Sequence, residues 1–375
     1  MNENGSGDGP LQQHAIQEST DGRNRGIAVL LTVPMAWGTF EPAVRYLYTM
    51  DPPVPGFLFG LGYYLVAATT LLGLSVAQSA LSASESHSVK DTEMSSSPPS
   101  IRGGLELGTY LFVGNAMQVV GLKTIPSDRA AFLLQLTTIF VPLMQAFLNK
   151  NLRSISSNTW LACLVALAGV GFMAMDGQDP SALQMVNVQT QAISLAAGDV
   201  WVILAAVFYT FHCIRLERFA KDTPAVQLGA AKAVTETLWS LTVVTSMVFS
   251  VGLGVSTAGT VAATGDVLGG LRQGGNEIMS FLRTTDLASN PTLLRTAIGV
   301  TLWTGLVPVA YTICAQSYGQ SRVSPTTANL LYTIQPVFTS LIAWVFLGET
   351  LGPQGYIGGA LIGAAVCLVT VGDDV

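Results

Sequence analysis

Charge is what this chain has least of. Asp, Glu, Lys and Arg make up 11% of its 375 residues, while 50% are hydrophobic. A soluble domain carries about 25% charged residues. Lys and Arg form no run, and the formal charge is −6, which argues against a nucleic-acid partner. There are four cysteines, Cys163, Cys213, Cys314 and Cys367, all in apolar surroundings and without a CxxC spacing. That pattern excludes a disulfide framework or a zinc site and fits small buried hydrophobes. Of three histidines only His212 lies in an apolar run, so no catalytic His cluster forms. GxxxxGK[ST] is absent, which excludes ATP drive within the chain. No cofactor and no metal is expected, and the chain does not read as an enzyme.

What is present is apolar length. Ten runs of roughly 20 residues recur, each enough to cross about 30 Å of hydrocarbon as a helix. They are Gly26–Tyr48, Gly56–Leu81, Gly103–Leu122, Ser127–Leu148, Thr159–Met175, Ile193–Ile214, Val226–Leu253, Thr292–Ser317, Ser324–Leu347 and Pro353–Val371. The expected fold is an all-α integral membrane protein of about ten transmembrane helices. Residues 1–25 are polar and Gly-rich and predict a disordered tail. They lack the apolar core of a signal peptide and are too acidic for an organellar transit peptide. Ser82–Ser100 reads as a flexible loop. Val267–Leu287, inside an insertion at 254–290, predicts a short interfacial helix with Leu268, Leu271, Ile278 and Leu282 as its apolar positions.

The two halves repeat. A shift of 197 residues sets LGTYLFVGNAMQVVGLKTIPSDRAAFLL (107–134) on TGLVPVAYTICAQSYGQSRVSPTTANLL (304–331), pairing Ser127 with Ser324 and Ala131 with Ala328. The division is 26–175 and 193–371, joined by 176–192. Five spans per half is odd, so the halves run in opposite senses, an inverted repeat with a site at its interface. Loop Lys and Arg residues fall ten to five on the side of the amino terminus. Both termini are therefore expected in the cytosol or its topological equivalent, with plasma and organelle membranes left open.

These features resemble the drug/metabolite transporter superfamily, specifically the EamA type with two five-helix repeats. The residues that carry the resemblance are Trp37-Gly38, the SxxxAxLL openings at Ser127–Leu134 and Ser324–Leu331, Pro142 and Pro336, Leu347-Gly348-Glu349-Thr350-Leu351, and the Gly-rich Gly358–Val366. The chain departs where the family often has an Arg-Phe pair and here reads Gly62-Tyr63-Tyr64, and where Asn149-Lys150-Asn151 replaces a Gly-Glu turn. The resemblance implies export or exchange of a small organic solute, an amino acid or another metabolite, by alternating access. Related branches carry sugar phosphates and nucleotide-sugars. A non-transporting scaffold or receptor is the alternative from another class.

Candidate working residues follow from cost. A charge inside a span costs about 2.5–3.5 kcal/mol or more, so it needs a partner or a role. Glu41 and Arg45 lie four apart in the first span, and Lys232 and Glu236 repeat that spacing in the seventh, which places each pair on one helix face. With His212 they are the gating or coupling candidates, and self-neutralising pairs are the bland reading. Glu106 and Asp199 sit near helix starts, where a carboxylate suits the macrodipole. Cavity candidates are Asn115 and Gln118, Gln135 and Thr138, Tyr332 and Gln335, with Trp37, Tyr209, Trp303 and Tyr311 as aromatic walls. Interhelical hydrogen bonding, about 0.6 kcal/mol on average, is the bland reading here. Gly358, Gly359 and Gly363 let another helix approach, within the chain or in a homodimer. The expected partners are a small-molecule solute and the lipid bilayer.

Overall fold

The computed structural model describes residues 10–40, 43, 47, 50–85, 101–121, 133–150, 155–175, 197–252, 267–284, 291–347 and 352–372. Glu41, Arg45, the opening Ser127–Phe132, Gly348-Glu349-Thr350, the loop 86–100 and the connector 176–192 lie outside the described residues. The helices are α1 Pro10–Gly38, α2 Gly56–Glu85, α3 Ile101–Gly121, α4 Thr137–Leu148, α5 Ser157–Ala174, α6 Ala197–Asp222, α7 Ala225–Gly252 and α8 Val267–Thr284. They continue with α9 Pro291–Gln320, α10 Pro325–Tyr332, α11 Gln335–Leu347 and α12 Pro353–Gly372. No strand occurs among the described residues. A backbone crossing hydrocarbon must satisfy its own N–H and C=O groups, and helices do so within one segment.

Five stretches, in α2, α6, α7, α9 and α12, are long and apolar enough to cross a bilayer, and the apolar helices in α4 and α5 are shorter. This is an all-α membrane protein, and among the described residues five of the expected ten runs form single helices of spanning length. Two of the expected runs are interrupted helices. The run Ser324–Leu347 is two helices, α10 and α11, with Thr333 donating to Leu330 and Ile334 to Leu331 at the joint. Those bonds reach back three residues instead of four, which tightens the chain. Pro336 follows, and a proline ring clashes with the carbonyl four residues earlier, so continuous helix through Tyr332 is disfavoured. The fourth run breaks likewise: Leu136 donates to Leu133 and Thr138 to Gln135 where α4 begins.

The amino-terminal expectation is corrected. Residues 10–25, read as loose, are helical from Pro10 onward. Proline suits a first helical position, and Leu11, Gln12, Gln13, Ala15 and Gln17 are adequate helix formers that carry α1 through this stretch.

Packing uses small residues. Ala67, Ala68, Ala230, Ala233 and Ala310 form one buried cluster with Leu71 and Ile313, where α2, α7 and α9 meet. Inside α9 the stretch Gly305–Tyr311 is π-helical and contains Pro308. The expected interfacial helix forms as α8, with Leu271 and Ile278 against Val244 and Met247 of α7. Leu282 is exposed, and Phe281 is the buried residue of that turn. A Cβ on Gly275 would run into the Met247 carbonyl. Gly275→Val should therefore lift α8 from α7, and limited proteolysis should cut 267–284 faster than in wild type.

Candidate functional site

The polar side chains of α2, α3, α6, α7 and α9 converge along the buried face of α7. Lys232 is fully buried and Glu236 is 3% exposed, one turn apart. They form no salt bridge, and neither the Lys232 Nζ nor the Glu236 Oε2 has a hydrogen-bond partner among the described residues. Lys232 lies in electrostatic range of Glu236, Cys213 and Cys314, and His212 lies in range of Lys232. Glu236 in turn reaches the field of Tyr64 and Tyr209. Two hydrogen bonds hold the far side: Asn115 Nδ2 donates to the Tyr64 hydroxyl at 3.1 Å, and the Tyr209 hydroxyl donates to Gln118 Oε1 at 2.8 Å. Gly114 makes room for the second, since a Cβ there would sit 2.7 Å from the Tyr209 ring.

A second arm runs from α6 to α9 and α10. Gln320 Nε2 donates to Cys213 Sγ at 3.0 Å, while Gln320 Oε1 and Asn329 Nδ2 have no partner among the described residues. Tyr332 carries its hydroxyl beside Gln316 and into the range of Cys213. Its ring meets Trp37 edge-on, centroids 5.2 Å apart. A buried polar atom left unpaired costs about 1–3 kcal/mol, so such atoms are rare unless water or a ligand completes them. Lys232, Glu236, His212, Gln320 and Asn329 each hold one.

The structure thus brings together Trp37, Asn115, Gln118, Tyr209, His212, Lys232, Glu236 and Tyr332 of the residues singled out by sequence. It moves others away. Trp303 and Tyr311, expected as cavity walls, are 48% and 43% exposed. They close an outer seam between α9 and α1: the Trp303 indole donates to Thr39 Oγ1 at 3.0 Å, and the Tyr311 hydroxyl bonds Thr32 Oγ1. Aromatic rings with a polar handle serve lipid-facing seams as well as cavities, and sequence does not separate the two. Gln135 lies in the joint before α4 and Gln335 opens α11 after its joint, both half-buried. Thr138 is buried, and its hydroxyl has no partner among the described residues.

Two features were missed. Tyr63 and Tyr64, with ring centroids 4.5 Å apart, wall the band from α2. The signal was their place in the Gly62-Tyr63-Tyr64 departure. Glu106 does more than meet a helix dipole, because it holds Arg215 of α6 in a two-pronged bond, Nε to Oε1 at 2.5 Å and Nη2 to Oε2 at 3.0 Å. Such a fork fixes both distance and angle between α3 and α6.

An all-α multi-pass membrane protein with a polar band at its centre is the class this fold defines. Residues 278–371 match the EamA-like transporter family, so the resemblance to the EamA type of the drug/metabolite transporter superfamily is shown for that part of the chain. The matched segment holds Ser324–Leu331, Pro336 and Gly358–Val366. An uncharacterized transporter of Archaeoglobus fulgidus is 36% identical over 74 residues, 19% of this chain and 27% of the relative. The chain therefore spans about a quarter of that relative's length. The permease-like protein YdzE of Bacillus subtilis is 29% identical over 68 residues, 18% of this chain and 87% of the relative. A solved crystal structure superposes with a TM-score of 0.60 at 17% identity, over 93% of this chain and 98% of the other. That likeness shows the fold alone.

Proposed function

We propose that this protein is a secondary transporter that moves a small organic solute by alternating access, through ten spans in two inverted five-helix repeats. The observation that carries the reading is the set of buried polar atoms without partners around Lys232. Burying such groups is costly unless something satisfies them, and a transported solute can do so in passing. The helix joints support the repeat. Gln135-Leu136 and Thr333-Ile334 break their helices within one residue of the 197-residue register. Discontinuous helices near the midplane are where transporters of this architecture place substrate.

The chemistry favours a solute with both charges. The Lys232 ammonium suits a carboxylate and the Glu236 carboxylate suits an ammonium, so amino acids and related zwitterions fit best. A sugar-phosphate exchanger would want two cations for a dianion, and Glu236 faces Lys232 instead.

Flux in proteoliposomes tests this, with a mixed amino-acid and metabolite pool, with and without a pH gradient. Wild type should show saturable flux. Tyr209→Phe removes one interhelical bond to Gln118. A packing role predicts a loss of about 0.6 kcal/mol, under threefold, whereas a cavity role predicts a flux loss of about tenfold or more. No flux above empty liposomes from folded protein would favour the scaffold or receptor reading.

A further inference from the structure

Where α6 turns into α7, a cleft of about 540 Å³ opens between that corner and the end of α9. Thr223, Ala225, Ser317, Tyr318 and Arg322 line it, with Lys221 and Asp222 also at its wall. We propose that this cleft is an oxyanion site that takes the carboxylate or phosphate group of a small solute or of a lipid.

Three features converge on that chemistry. The first hydrogen bond of α7 runs from Leu228 to the Pro224 carbonyl, so the N–H groups of Ala225, Val226 and Gln227 have no helical acceptor. They present the positive end of a 28-residue helix beside the cleft. Thr223, just ahead of it, is 8% exposed, lines the cleft and makes no hydrogen bond among the described residues. Arg322 is held flat over the Tyr318 ring, 3.8 Å from its centroid. One of its terminal nitrogens donates to the Tyr318 carbonyl at 2.8 Å and to Ser321 Oγ at 2.9 Å, which leaves the other edge of the guanidinium for a planar acid. Lys221 is committed to Glu217 at 2.7 Å. With Lys221 neutralised by Glu217, Asp222 offsets Arg322 in formal charge, so the pull on an anion comes from directed donors and not from net charge.

Packed side chains link the cleft wall to the central band. Cys314 Sγ reaches the Ala225 carbonyl at 4.0 Å and would touch a Cβ on Gly229 at 3.2 Å. The Lys232 ammonium lies within range of that sulfur, less than one turn below Gly229. An anion held at Arg322 therefore waits above the central band. This role as a loading site rests on the transport reading; the binding itself does not.

Isothermal titration of the full chain in phosphatidylcholine nanodiscs, first with inorganic phosphate and then with acetate, tests it without a gradient or a flux. Saturable binding is expected, weakened about tenfold or more in Arg322→Gln and in Thr223→Val, and unchanged in Arg283→Gln on α8. Repeating the titration in nanodiscs containing phosphatidylglycerol identifies the source. Loss of the phosphate signal there assigns the site to lipid headgroups, and an unchanged signal assigns it to soluble solutes. Absence of saturable binding to wild type, or binding that survives in both folded variants, would overturn the proposal. Binding that persists while proteoliposomes show no flux would leave the site standing and remove the transport reading alone.

Discussion

Lys232→Met should destabilise the protein by about 3–5 kcal/mol and abolish solute flux. The substitution leaves Glu236 buried with no cation beside it, and an uncompensated buried charge costs that much when its partner is removed. Lys232 is fully buried, so water does not screen the loss. Removing the second charge should relieve it. The double variant Lys232→Met/Glu236→Met should regain wild-type stability or exceed it, because well-packed apolar replacements of two opposite buried charges, here one turn apart without a direct salt bridge, are often neutral or stabilising. Flux should remain absent in the double variant. Denaturation in mixed micelles, read beside proteoliposome flux, separates the two effects. A double variant that transports at the wild-type rate would reduce the pair to packing, and one as unstable as the single variant would show that the two charges do not interact.

The second large effect lies where no charge is involved. Among the described residues, helices α5 and α12 form the most extensive helix pair. At their crossing Gly169 faces Gly358: a Cβ on Gly169 would fall 2.8 Å from the Gly358 carbonyl oxygen, and one on Gly358 would fall 2.5 Å from that of Gly169. Both obstacles are backbone, so no rotamer change relieves them. Gly358→Val should cost about 1–3 kcal/mol or more, the scale of overpacking in a closed contact. Gly363→Ala is the control. A Cβ there meets nothing within 4 Å, so the variant should be neutral or gain up to about 1 kcal/mol from helix propensity. Thermal inactivation followed by size-exclusion chromatography reads both. Equal losses in the two variants would mean that glycine in α12 serves something other than this contact.

The residues that were legible and those that were not differ for a physical reason. Lys232 and Glu236 could be placed together because four residues make one helical turn whatever surrounds the helix. The all-α membrane class and α8 were legible because length and amphipathic spacing survive without knowledge of neighbours. Which face of an apolar helix meets lipid was not legible, because hydrocarbon is as apolar as a leucine side chain and leaves no polar stripe to read. Trp303 and Tyr311 could not be told apart from seam residues on that account, and Gly358, Gly359 and Gly363 looked alike although only Gly358 of the three meets backbone. The joints after Leu134 and Tyr332 were hidden inside runs of unbroken hydropathy. Glu106 was read against its own helix because its partner Arg215 lies 109 residues away in sequence.

The π-helical stretch in α9 bears on how this chain tolerates change over generations. A π segment holds surplus residues within a helix whose ends stay anchored. Here Gly305 at one end is pressed against Val66 and Tyr63, and Cys314 beyond the other end lies against Gly229. Losing one residue between Gly305 and Tyr311 would let the segment relax toward ordinary helix while both anchors keep their partners. Losing one anywhere else in α9 would turn every later side chain by about 100°, carrying Cys314, Ser317 and Arg322 off their faces together. The segment is a reserve of length, the one place in α9 where evolution can edit the chain without rewriting its register.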